Sequence, residues 1–124
     1  MGMTVQSRLL TLTARASDLE LQQVILTSRH QEIALKAQQL MADYSNYFAV
    51  RAQEAEDGEG YTIDDHAFIA EYEYQLNLLN NQEKRIETEQ AQNDTQLKAV
   101  SQEIEAVEKV IDKIIKRGFG TFGD

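Results

Sequence analysis

From Thr4 to Gln53 the chain contains neither glycine nor proline, and from Tyr61 to Arg117 it again contains neither. Proline is absent from all 124 residues, where about one residue in twenty is usual. A chain without these residues has few places to reverse direction. The only stretch that combines glycine with clustered charge is Glu54-Ala55-Glu56-Asp57-Gly58-Glu59-Gly60, near the middle. One turn between two long helices is the arrangement these intervals predict. The length argues for a single domain and excludes a barrel or doubly wound sheet, which needs roughly 200 residues or more.

The ends of the second arm carry helix signals. Thr62 followed by Asp65 matches a capping box, in which Thr62 or Asp64 accepts from the first free backbone N–H groups. Lys109, Lys113, Lys116 and Arg117 crowd the far end, where cations face the negative pole of the helix dipole. Gly118 is then the expected stop. These signals place one helix at about 4–55, an acidic turn at about 56–63, a second helix at about 64–117 and a flexible Gly/Phe tail at 118–124.

Periodicity names the fold class. Positions spaced alternately four and three in the first arm are Val5, Leu9, Leu12, Ala16, Leu19, Gln23, Leu26, His30, Ile33, Ala37, Leu40, Tyr44, Tyr47 and Arg51. All but Gln23, His30 and Arg51 are apolar or aromatic. The second arm gives Ile69, Tyr72, Leu76, Leu79, Glu83, Ile86, Gln90, Asn93, Leu97, Val100, Ile104, Val107, Ile111 and Ile114, with Glu83, Gln90 and Asn93 as exceptions. Each series is a heptad seam of the coiled-coil kind. If the chain reverses near residue 60, facing residues have numbers totalling about 120. Leu40 then meets Leu79, Ile33 meets Ile86, Leu19 meets Val100, Leu12 meets Val107 and Leu9 meets Ile111. The exceptions gather in one polar zone, with Gln23 opposite Leu97, Leu26 opposite Asn93, His30 opposite Gln90 and Ala37 opposite Glu83. The expected fold is all-α: an antiparallel two-helix coiled-coil hairpin with arms about 75 Å long at 1.5 Å per residue.

The backs of the two arms differ. Away from its partner, helix one presents Leu10, Ala14, Ser17, Leu21, Val24, Ser28, Gln31, Leu35, Gln38, Ala42, Ser45 and Ala49, again spaced four and three and without a charge. The matching face of helix two reads Ala70, Tyr74, Asn77, Asn81, Lys84, Thr88, Ala91, Thr95, Lys98, Gln102, Glu105 and Lys109, a water-facing set. A hairpin of this size has one seam, and association supplies the burial that such a seam lacks. Leu10, Ala14, Leu21, Val24, Leu35, Ala42 and Ala49 are therefore the expected partner or oligomer interface. Pairing of two hairpins into a four-helix bundle is the simplest outcome, and a helical protein partner fits the same face.

Charge and composition narrow the function further. Acidic residues outnumber basic ones 21 to 12, a net charge of −9, so the phosphate-neutralising surface that nucleic acids require is absent. Between Ala52 and Glu83 lie nine acidic residues and no lysine or arginine; the turn region alone matches the net charge of the whole chain and suits a basic partner. No apolar run is long enough to span a bilayer. The start carries no basic stretch followed by an apolar core, so the expected location is the cytoplasm, or outside the cell by a route that reads no cleavable signal peptide. The absence of cysteine removes disulfides, thiol nucleophiles and cysteine-ligated metals.

Candidate chemistry is sparse. The turn and its flank, Asp57 to Phe68, resemble a calcium-binding EF-hand string, but in the wrong register. With Gly60 at the obligatory glycine, Ala55 takes the first ligand position and His66 the place of the bidentate glutamate. Asp57, Glu59, Asp64 and Asp65 remain as weak ligands for a divalent ion, and no metal or other cofactor is expected. Neither His30 nor His66 lies three residues after a glutamate, as helical di-iron sites require. His30 is expected to hydrogen-bond within the polar zone beside Gln90. No nucleophile–base pair and no phosphate-cradling glycine loop occurs, so catalytic residues are none and the chain is not expected to be an enzyme. Phe119 and Phe122, on a glycine-rich tail, are candidates for docking into a partner.

In outline, a short acidic helical hairpin without cysteine resembles the small proteins of specialised bacterial secretion systems: needle subunits, export chaperones and the paired hairpins of the Trp-x-Gly family. The tryptophan of that last turn and the proline of the needle-subunit turn are both absent here. The residues themselves imply a non-enzymatic assembly module acting through the outer face of helix one. The resemblance implies a secretion substrate, chaperone or filament component as the alternative, and a weakly cation-responsive hairpin is third.

Overall fold

The structure is a computed structural model that describes the backbone of residues 2–54 and 62–123, and the side chains of 4–54 and 62–118. It is an all-α helical hairpin of two helices, α1 (Gly2–Glu54) and α2 (Ile63–Gly123). Every described residue except Thr62 is helical, so no strand occurs among them. The expected acidic turn falls largely on residues 55–61, outside the described set.

Packing divides the chain into two compact units, each pairing a piece of α1 with a piece of α2. In the first, residues 1–26 pack with 89–124. Its core is one cluster of Leu12, Leu19, Val100 and Val107, flanked by half-buried Val5, Leu9, Ala16, Leu97, Ile104 and Ile111. Low numbers on α1 group with high numbers on α2, so the pairing is antiparallel; the side-chain bonds of Asn93 run to Leu19 and Gln23 rather than to the level of Leu26, its expected opposite. In the second unit, residues 27–88, Ile33 and Ile86 are buried and aromatic rings take over toward the turn. Tyr47 stacks on Phe68 at 3.9 Å between centroids, within 7° of parallel. Tyr44 packs on Tyr72 at 4.2 Å and on Phe48 at 4.9 Å. Ring pairs at these separations add to what their burial contributes.

The seams describe burial closely. On α1 all fourteen seam positions are buried or half-buried, and Phe48 is the single addition. On α2 the seam runs from Ile69 to Ile111 as expected and gains Asp65, Phe68, Gln75 and, beyond its end, Gly118. Ile114 departs from it: the side chain is 46% exposed.

The C-terminal boundary also departs from expectation. The helix does not stop at Gly118 but continues through it to Gly123, six residues past Arg117. Glycine inside a helix costs about 1 kcal/mol relative to alanine but breaks no hydrogen bond. Only proline would forbid the next turn, and the chain has none. The backbone of the expected flexible tail is therefore helical, while the side chains of Phe119 and Phe122 lie outside the described residues. At the other boundaries the helices begin or end within two residues of expectation.

No helix among the described residues is long and apolar enough to cross a membrane.

Candidate functional site

At the start of α2, Thr62 is the N-cap. Its backbone carbonyl accepts from His66 N–H at 3.1 Å, the first bond of the helix. Asp65 N–H donates to Thr62 Oγ1 at 3.2 Å, and Thr62 N–H donates back to Asp65 Oδ2 at 2.9 Å. This is a capping box with aspartate at the third helical position. The same carboxylate faces α1, where Arg51 Nε and Nη2 donate to Oδ1 and Oδ2 at 3.0 and 3.1 Å and Tyr47 Oη donates to Oδ1 at 2.8 Å. Four donors occupy the roughly four acceptor sites a carboxylate offers. The backbone N–H of Thr62, then the Arg51 guanidinium, hold the Asp65 carboxyl well below the usual range for aspartate. Hydrogen bonding to Asp65 is also the main cause that pushes the Tyr47 hydroxyl and the Arg51 guanidinium above their ordinary values.

This clasp corrects the reading of Asp65 as a cation ligand. The side chain is buried and its acceptor sites are taken by the protein. Asp64, one residue earlier, points to solvent. Asp57 and Glu59, the other two weak candidates, lie outside the described residues.

Polar residues interrupt the seam of each unit differently. In the first, buried Asn93 donates from Nδ2 to the Leu19 carbonyl and to Gln23 Oε1, both at 2.9 Å, while its Oδ1 has no partner. In the second, His30 makes the hydrogen bond expected of it within the polar zone, with Glu83 as its partner. Its Nε2 lies 3.4 Å from Glu83 Oε1 and 4.0 Å from Glu87 Oε1. A glutamate side chain is long enough to reach back along its helix toward an imidazole, and its negative charge favours that contact over the amide. Glu83 accordingly turns to His30.

The outer face of α1 is open in each unit. In the first, Leu10, Leu21 and Val24 are 73%, 59% and 65% exposed, with exposed Ala14 between them. In the second, Leu35 is 65% exposed, and Ala42 and Ala49 are exposed too. All seven candidate interface residues thus face away from α2. On the back of α2, Asn77, Asn81, Lys84, Thr88, Lys98, Glu105 and Lys109 are exposed. Thr88 and Thr95 there satisfy their hydroxyls on carbonyls one turn back. Tyr74 is the one large apolar side chain exposed within that series.

Two groupings were not legible as units in the sequence. Arg51 and Asp65 lie one turn from the register expected of facing residues, so their opposite charges near the turn were the available signal for their pairing. His30 with Glu83 and Glu87 required knowing that Glu87, off the seam, leans toward it.

Comparison with protein-family models, with curated proteins and with solved structures finds no match to this chain.

Proposed function

We propose that the chain is a non-enzymatic assembly module that pairs with a second copy of itself through the outer face of α1. The observation that carries this reading is the balance of apolar side chains. Among the described residues, seven hydrophobic residues are buried, whereas thirteen large ones are exposed. Four of the thirteen, Leu10, Leu21, Val24 and Leu35, fall on the uncharged stripe of α1, spaced by small residues that let a second helix approach closely. Exposed leucines scattered singly are ordinary; a heptad series of them is the pattern of a packing face.

A second copy suits this face better than a charged partner does. In a two-fold pairing each stripe meets itself, so a charge on it would be buried without a partner of opposite sign, and it has none. Antiparallel pairing also carries the two acidic stretches from Ala52 to Glu83, each with nine acidic residues and no lysine or arginine, away from each other. The product is a four-helix bundle with the second seam as its centre.

Sedimentation equilibrium on the full chain tests this. The expected mass is twice 14.1 kDa at tens of micromolar, falling to one chain on Leu21→Glu with Leu35→Glu. A monomer of the parent chain across that range overturns the proposal.

A further inference from the structure

We propose that His30, Glu83 and Glu87 bind a single zinc(II) ion between α1 and α2, independently of any association through the outer face of α1. One nitrogen donor from α1 and two oxygen donors from α2 converge, with all three ligand atoms within 4.8 Å of one another. A tetrahedral ion with bonds of about 2.0–2.1 Å holds its ligand atoms about 3.4 Å apart. His30 Nε2 and Glu83 Oε1 already stand 3.4 Å apart, and His30 Nε2 and Glu87 Oε1 4.0 Å apart. Closing the remaining gap falls to glutamate side chains that are 44% and 55% exposed and so have room to move.

Electrostatics points the same way. Glu83 and Glu87 lie one turn apart on the same helix, where two negative charges repel. Among the described residues no lysine or arginine pairs with either of them; their one shared partner is His30. A dication between the three groups removes that repulsion. The donor set also selects the metal. Imidazole with carboxylate suits zinc and its neighbours in the transition series, whereas magnesium and calcium require six or more oxygens. Three protein ligands leave the fourth position of the ion to water or to a donor from another molecule.

Because the ligands come from both helices, the ion binds the paired state and not the unfolded chain, so binding raises the melting temperature. The test is calorimetry of the metal-free full chain with zinc chloride, together with thermal melts and imidazole NMR. The expected results are one equivalent bound, a melting temperature higher by several degrees in excess zinc, and a shift of the His30 ring resonances. His30→Gln and Glu87→Gln, each checked for helicity, are expected to weaken binding at least tenfold, while Asp57→Asn with Glu59→Gln leaves it unchanged. Magnesium is expected to bind at least tenfold more weakly. No heat with zinc, undiminished binding in His30→Gln, equal binding of magnesium, or ring shifts confined to His66 would each overturn the proposal.

Discussion

Arg51 grips Asp65 by both carboxylate oxygens, Nε to Oδ1 at 3.0 Å and Nη2 to Oδ2 at 3.1 Å, from the last turn of α1 to the first turn of α2. A forked guanidinium matches a carboxylate in a way lysine cannot. The same aspartate caps its own helix through Thr62. One buried anion therefore fastens the two arms together and starts the second of them.

That arrangement predicts a definite pH dependence. The folded chain holds the Asp65 carboxyl below its ordinary value, which is about 3.9 in an unfolded chain. Above that value both states are ionised and the stabilisation is present in full. As pH falls below it toward the depressed folded value, the unfolded chain binds a proton that the folded chain refuses, and the stabilisation is lost. Asp65→Asn is expected to melt well below the parent at pH 7, with the difference narrowing as pH falls from about 4 to 2.5. Thermal denaturation followed by circular dichroism at stepped pH measures it. A gap between parent and variant that stays constant through that window contradicts this role for Asp65.

The parts of the fold that were legible in the sequence are those set by repetition. A heptad series interrupted three times in fourteen still marks the face of α1 that packs on α2, so the burial of the seam positions from Val5 to Arg51 follows from spacing. Single residues were less legible where their reach exceeds the backbone period. Phe48 and Phe68 sit one position off the seams, yet their rings extend round to Tyr44 and Tyr47. Glu87 is off the seam as well and reaches His30 by length and charge. Asp65 reads from sequence as a capping residue in water; its burial follows from Arg51 and Tyr47, 14 and 18 residues earlier on the other arm.

Asn93 predicts a trade between stability and uniqueness. Its Nδ2 is satisfied by Leu19 and Gln23, while its buried Oδ1 is not, and an orphaned buried acceptor costs about 1–3 kcal/mol. In Asn93→Leu the Leu19 carbonyl keeps its intrahelical donor and half-buried Gln23 turns to water. The variant is expected to be more stable than the parent by about 1 kcal/mol in urea denaturation. A buried asparagine on a seam also pins one register at some cost in stability. Amide resonances of residues near 19 and 93 should therefore broaden or double in the variant. A loss of more than about 1 kcal/mol would mean that the two Nδ2 bonds outweigh the orphan.

Gly118 offers the sharpest test of where α2 ends. The glycine lies inside the helix, which runs on to Gly123, and a methyl group added there would meet nothing within 4 Å. Its backbone is not in the left-handed region that favours glycine over other residues. Alanine at a helical position with free space stabilises by about 0.5–1 kcal/mol relative to glycine, and part of that gain comes from the reduced freedom of the unfolded chain. Gly118→Ala is thus expected to raise helicity slightly and to slow amide exchange at the residues just beyond it. If position 118 instead closed the helix in the left-handed conformation, as Lys116, Arg117 and the glycine suggest from sequence alone, the added methyl group would be strained. The variant would then lose stability and gain no protected amides. The sign of the change in melting temperature, read beside the exchange rates, decides between a helix that stops at Arg117 and one that continues.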